Sequence, residues 1–153
     1  MLGTLLLGRA QYAFVNRPLV GAGSDGWHGT RRSRKWTVHL YNGGPGHAVV
    51  YRYEYYLTLK SDQRSRGPLD YLGVRSALLA AGLRDEKDFT FRWISPGAPL
   101  PPQKAAREGL EMFSLNLKTL GLLQHLEVLI QVNDVVGDRH EWRRDFIEIA
   151  PIE

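Results

Sequence analysis

The stretch that decides the fold is Trp36-Thr-Val-His-Leu-Tyr-Asn-Gly-Gly-Pro-Gly-His-Ala-Val-Val-Tyr51. Apolar and polar side chains alternate in its first half with the period of two that is typical of a β-strand with one buried face. Asn42 and the glycines at 43, 44 and 46 accept positive φ, and Pro45 cannot donate to a sheet ladder. The stretch therefore predicts a strand, a sharp turn and a second strand.

The second strand continues to Lys60 with the longest alternation in the chain. One predicted face carries Val49, Tyr51, Tyr53, Tyr55, Leu57 and Leu59, and the other carries Val50, Arg52, Glu54 and Thr58. An antiparallel sheet with one buried face produces such a pattern. Tyr56 falls on the polar face, and we expect it to be exposed and available for binding.

Shorter strands and one helix are predicted elsewhere. Leu2–Leu7 is interpreted as the first strand or its lead-in, and Ala10–Val20 as an edge strand. Residues 69–83 change to a helical period, with Asp70 as N-cap and Gly82 as the C-terminal stop. The other predicted segments are a loop at Gly21–Lys35, a strand at Phe89–Ile94, a proline-rich loop at Pro96–Pro102, a helical turn or crossover at Leu117–Leu123, and a hairpin from Leu126 to Ile149 that turns at Asp134–Asp138.

Together these elements predict a mainly β protein, an immunoglobulin-like antiparallel β-sandwich with one short inserted α-helix. The chain has 153 residues, which suits one domain over residues 1–153. It has no cysteine, which excludes disulfides, thiolate catalysis and Cys-ligated zinc. No run approaches the roughly 20 apolar residues that span a bilayer. We expect no transmembrane segment and a cytoplasmic or membrane-associated location, although a chain cut just after a membrane helix would begin in the same way.

Two motifs resemble a known group of domains. The turn formed by Asn42, Gly44, Gly46 and Ala48, and the hairpin sequence Asp134-Val-Val-Gly137, are similar to uncharacterised bacterial immunoglobulin-like β-sandwich domains with an Asn-x-Gly-x-Gly-(Pro)-Ala turn. Pro45 is displaced by one residue from that pattern. The resemblance implies a bacterial β-sandwich, often tethered behind membrane helices, and such domains have no established activity.

The formal net charge of +4 equals the four cations of one short segment, Arg31, Arg32, Arg34 and Lys35. Arg and Lys neutralise phosphates, and a neighbouring aromatic such as Trp27 can stack on a base. Anionic lipid headgroups attract the same charges. A solvated loop remains the alternative interpretation of this segment, and Trp36 is predicted to be a core residue.

Potential metal ligands are densest in the predicted hairpin, at Asp134, Asp138, His140 and Glu141. Carboxylate and imidazole groups bind divalent cations where they converge. Adjacent strand residues such as His140 and Glu141 point to opposite faces, which favours a solvated hairpin tip. The glycine-rich turn is interpreted as a structural corner rather than a phosphate cradle, because a strand and not a helix follows it.

No nucleophile elbow or zinc-protease motif is present, so the sequence predicts no enzyme and no cofactor. The leading hypothesis is a non-catalytic protein-interaction or accessory domain with an unidentified protein partner. It would bind through its loops, or through a sheet edge by strand addition. The alternative is an anion-binding module for nucleic acid or a membrane surface through residues 31–35, and the third is a metal-dependent hydrolase around residues 134–141.

Overall fold

The computed structural model describes residues 2–31 and 33–151 and is mainly β. Two antiparallel sheets pack in a sandwich-like arrangement, which confirms the mainly β, antiparallel prediction. The strands are β1 (Val20–Gly23), β2 (Trp27–His28), β3 (Lys35–Asn42), β4 (Ala48–Leu59), β5 (Ser65–Leu69), β6 (Phe89–Phe91), β7 (Pro99–Leu100), β8 (Leu110–Leu115), β9 (Leu123–Asp134) and β10 (Arg139–Asp145). The α-helices of the described part are α1 (Leu2–Val15), α2 (Tyr71–Ala80) and α3 (Leu117–Leu122).

The first sheet has the strand order β1–β3–β8–β6, and β2 pairs with β3 beyond the end of β1. The second sheet has the order β10–β9–β4–β5, and β7 pairs with the first residues of β4. Every pair of named strands is antiparallel. The predicted loop Gly21–Lys35 thus contains most of a split edge strand, and the predicted proline loop contains β7.

The core lies between the two sheets and is rich in aromatic rings. Trp36 is buried, as predicted, and its ring packs in a T-shaped arrangement with Phe113 and in a tilted one with Phe146. Tyr55 from the second sheet packs edge-on against Phe91 from the first, at a centroid distance of 5.2 Å. Full burial of one large apolar side chain contributes about 1.5–3 kcal/mol. These rings join the two sheets into one apolar cluster.

The N-terminal predictions were wrong. Residues 2–15 form the single helix α1, where strands were expected at Leu2–Leu7 and Ala10–Val20. Leu, Ala, Arg and Gln, which favour helix, fill much of this segment, and no proline occurs before Pro18. Leu5, Leu6 and Leu7 are also consecutive, so they lack the alternation of a half-buried strand.

The predicted faces of β4 were wrong at its start. A β-bulge shifts the register between Val50 and Arg52, so Val50 is buried and Tyr51 is 46% exposed. A bulge adds one residue to a strand and moves the following side chains to the other face. Beyond the bulge, Tyr55 and Leu57 are buried as predicted.

The predicted helix at residues 69–83 is confirmed as α2, and both of its end signals are correct. Asp70 caps it by accepting a hydrogen bond from the Gly73 N–H at 2.7 Å. Gly82 has a φ of +82° after the last turn, a conformation that favours glycine. The prediction of only one helix was too low, because α1 and α3 are helical as well.

Candidate functional site

The glycine-rich turn is a corner that holds the segment after α1 against the first sheet. The buried Asn42 amide makes four hydrogen bonds: its Oδ1 accepts from the N–H groups of Leu19 and Gly44, and its Nδ2 donates to the carbonyls of Gly46 and Leu100, all within 2.6–3.1 Å. A Cβ at Gly46 would overlap the Asn16 carbonyl. The turn therefore faces the protein's own backbone, which is the structural role expected of it.

The basic loop lies at the end of β3 opposite to this corner. We call this end of the domain the distal end. Arg31 and Arg34 are exposed there, whereas Arg32 lies outside the described residues. The Nζ of Lys35 donates a hydrogen bond to the Glu86 carbonyl. Trp27 pairs with Trp36 across β2 and β3 and is partly buried against the core, so its indole is not the exposed stacking surface that the sequence suggested.

The structure adds three cations to the distal end that sequence reasoning missed. Arg84, Lys87 and Lys118 come from the α2–β6 loop and from α3. Arg84 donates to the buried Asp88 carboxylate, and the Lys118 Nζ lies 3.6 Å from it. The Arg84 hydrogen bonds are the largest of the effects that hold the pKa of Asp88 well below its usual range.

An open depression of about 430 Å³ lies in the middle of this basic end. The cations Lys35, Arg84 and Lys87 line it, together with Ser33, Glu86, Asp88 and Asn116. Asn116 Nδ2 donates to Asp88 Oδ1 at 3.1 Å, so the carboxylate is held from two directions. The lining thus carries three cations and two carboxylates, and one of the carboxylates, that of Asp88, is already hydrogen-bonded by Arg84 and Asn116.

The candidate metal residues of the hairpin brace their own turn instead. Asp134 Oδ1 accepts from the N–H groups of Val136 and Asp138, and its Oδ2 lies 2.8 Å from His140 Nε2. Burial opposes ionisation of Asp134, but these hydrogen bonds outweigh it and lower its pKa. The Asp134 side chain is buried, so the expected solvated tip is wrong for this residue.

The remaining hairpin candidates do not join that pair. Asp138 Oδ1 lies 3.6 Å from an Arg9 guanidinium nitrogen. Glu141 accepts from Gln131 Nε2 at 2.7 Å on the other face of the hairpin, opposite His140 as predicted. Within residues 2–31 and 33–151, no three His, Asp or Glu side chains converge as metal ligands.

Tyr56 is half-buried and already has partners. The Arg143 guanidinium carbon lies 5.0 Å from its ring centroid, and Arg143 is also paired with Glu127 at 2.5 Å. The more exposed tyrosine is Tyr51, because of the bulge in β4. Arg139 covers the Tyr51 ring at 3.9 Å.

The most exposed apolar surface of the described chain is α1. Leu5, Leu6 and Leu7 are exposed on successive sides of the helix, and Phe14 is 83% exposed near its end. Arg9 is the only charged residue within α1. Among the described helices, none is both long and apolar enough to cross a membrane.

No protein-family model and no curated protein matches the chain. The distal end, the braced hairpin and the exposed helix are therefore interpreted from their own geometry and charge.

Proposed function

We propose that this protein is a non-catalytic binding module of immunoglobulin-like topology that α1 attaches to a lipid bilayer. The attachment leaves the distal basic end facing away from the membrane, where it binds an anionic partner. The observation that carries the proposal is the exposure of Leu5, Leu6, Leu7, Tyr12, Phe14 and Val15 on different sides of α1.

The strand order supports an immunoglobulin-like topology. Immunoglobulin domains place strands A, B, E and D in one sheet and strands G, F and C in the other, with C′ added in the variable type. If the split strand β1/β2 is A, the first sheet here follows the order A-B-E-D. With β4 as C and β5 as C′, the second sheet follows the order G-F-C-C′.

The distribution of apolar side chains on α1 favours lipid over a protein partner. Successive helical residues are rotated by about 100°, so Leu5, Leu6 and Leu7 point in three different directions. A partner helix needs one apolar stripe, whereas a helix that is apolar all round requires an apolar environment on every side. Insertion of part of α1 into one leaflet provides that environment around the inserted turns and does not require the helix to cross the membrane. Each large apolar side chain buried there contributes about 1.5–3 kcal/mol.

The charges and aromatic residues near α1 suit an anionic membrane surface. Arg9 and Arg17 are the only charged residues between positions 2 and 24. Each basic residue near an anionic bilayer contributes about 1 kcal/mol, and Asp138, 3.6 Å from Arg9, offsets part of the Arg9 contribution. Tyr12, in the last turns of the helix, is a residue type enriched at membrane–water interfaces.

The orientation of the domain follows from the position of α1. The corner at Asn42 fixes the segment after α1 at one end of β3, and Lys35 lies at the other end. The eight residues of β3 span seven steps, which separate the two ends by about 23 Å at roughly 3.3 Å per residue. The basic loop is thus directed into solution. Its partner is a soluble anionic molecule, or an anionic molecule on a surface that faces the membrane, and not the lipid that α1 enters.

Flotation with vesicles tests the attachment. The full chain is mixed with vesicles of phosphatidylcholine, with or without phosphatidylglycerol, and centrifuged through a density gradient. We expect it to float, more completely with phosphatidylglycerol, and we expect Leu6→Gln/Phe14→Gln to remain in the bottom fraction. The matched control Leu72→Gln/Leu79→Gln changes two exposed leucines of α2 and should float like the wild type.

Two results would overturn the proposal. One is a wild-type chain that stays at the bottom with both kinds of vesicle. The other is equal flotation of the α1 variant and the wild type, because apolar contacts of α1 would then contribute nothing to attachment.

A further inference from the structure

A recess at the edge of the second sheet is not explained by membrane attachment or by the distal basic end. The outer edge of β4 is covered by β7 at Ala48 and Val49, and by β5 from Tyr55 onward. Between these two covered parts, the start of α2 and the segment after β6 frame a cavity of about 190 Å³.

Three aromatic residues from three separate elements line this recess. Tyr53 belongs to β4, Tyr71 is the first residue of α2, and Trp93 lies between β6 and β7. Trp93 is 67% exposed, whereas its neighbour Ile94 is buried. The Trp93 side chain is thus largely open to solvent and also forms part of the lining of the recess.

The polar groups at the recess leave one negative charge without a cationic partner. Arg52 is neutralised by Glu54, whose Oε1 accepts from Arg52 Nε at 2.6 Å. Asp70 lines the recess as well and accepts a hydrogen bond from the Gly73 N–H. Among the described residues, Asp70 takes part in no ion pair with Arg, Lys or His.

Aromatic faces attract cations through the quadrupole of the ring, and quaternary ammonium groups are recognised by cages of such rings. A carboxylate beside the rings adds a direct Coulomb attraction. We propose that this recess binds a trimethylammonium group, held by Tyr53, Tyr71 and Trp93 and neutralised by Asp70. The proposal is independent of membrane attachment, because the recess lies on the body of the domain and α1 takes no part in it.

Choline titration of the full chain tests this site by ¹H–¹⁵N NMR. Choline should shift the Trp93 indole signal and the amides of Tyr53 and Tyr71 in a saturable manner. The neutral isostere 3,3-dimethylbutan-1-ol has the same shape without the charge, and we expect it to bind at least about tenfold more weakly. Equal binding of the two probes would overturn the proposal, because a merely apolar recess does not distinguish them.

Variants separate a specific site from general surface binding. Trp93→Ala should abolish the saturable shifts. Asp70→Asn should weaken choline binding about tenfold while keeping α2 capped, since Asn is as good an N-cap as Asp. Tyr51→Ala removes an exposed tyrosine outside the recess and should bind like the wild type. Unchanged choline binding in Trp93→Ala would refute the site.

Two further probes distinguish the sources of a trimethylammonium group. Trimethyllysine represents a methylated protein, and phosphocholine represents a lipid headgroup. Saturable binding of either probe supports the site, and the tighter of the two identifies the source. If choline, trimethyllysine and phosphocholine all fail to bind, the proposal is wrong.

Discussion

Replacing Asn42 by Ala should destabilise the protein more than any surface substitution. The side chain is fully buried, and its four hydrogen bonds join β3 to the segment after α1, to the glycine-rich turn and to the residue at the end of β7. A typical hydrogen bond contributes about 1 kcal/mol net, and a buried group left without its partner costs about 1–3 kcal/mol. Water can reach some of the freed groups at this end of the sandwich and reduces the penalty. We therefore expect the free energy of unfolding to fall by about 3 kcal/mol.

Urea unfolding followed by far-ultraviolet circular dichroism measures this loss, and a thermal scan should show a melting temperature lower by about 6–12 °C. Asn133→Ala is the matched control: this Asn lies half-buried at the end of β9, and its substitution should change stability by less than about 0.5 kcal/mol. A loss below about 1 kcal/mol for Asn42→Ala would refute the reasoning, because the four bonds would then be replaced by water at almost no cost.

The remaining predictions concern a turn glycine, a buried carboxylate and the hairpin. Gly46→Ala should lower the free energy of unfolding by roughly 1–3 kcal/mol, because the added Cβ overlaps backbone atoms. The control Gly121→Ala adds its Cβ to an open position of α3 and should be neutral or stabilising, so equal melting temperatures for the two variants would contradict this prediction. Asp88→Asn should lower the melting temperature at pH 7. Because the pKa of Asp88 is depressed in the folded state, its stabilisation is present above the unfolded pKa of about 3.9, so the gap to wild type should narrow as the pH falls below that value; a gap that stays constant would contradict it. Zinc, calcium and EDTA should leave the melting temperature unchanged, because the Asp134 oxygens already have partners, and a metal-dependent rise would contradict that role.

Local sequence signals were sufficient for most of the β structure and for α2. The alternation around Trp36, the turn at Asn42 and the end signals Asp70 and Gly82 each act within a few residues. Their effects depend on backbone preference and on which face is buried, and both can be derived from neighbours in the chain. The structure contains these elements close to the expected positions.

The N-terminal segment and the start of β4 could not be assigned in this way. A short apolar run such as Leu5–Leu7 is compatible with a strand or a helix, and only its surroundings decide between them. The bulge at Tyr51 depends on how β4 meets β9 and β7, which a single-strand pattern does not contain.

The candidate sites were predictable only where their residues are close in sequence. The basic segment and the hairpin carboxylates were found from the sequence. The structure shows that Asp134 and His140 are hydrogen-bonded to each other, but this contact stabilises the hairpin turn and does not form a metal site. Lys118 joins the distal end from a helix far along the chain. The recess beside Trp93 combines three elements in the same way, and no local pattern connects them.

A polarity-sensitive fluorophore at two single positions tests the proposed membrane orientation most directly. The chain has no cysteine, so Phe14→Cys and Lys87→Cys each create one labelling site, the first on α1 and the second at the distal end. With phosphatidylglycerol-containing vesicles, the emission of the label at position 14 should shift to the blue, and that of the label at position 87 should stay unchanged. A blue shift at position 87, or none at position 14, would contradict the account.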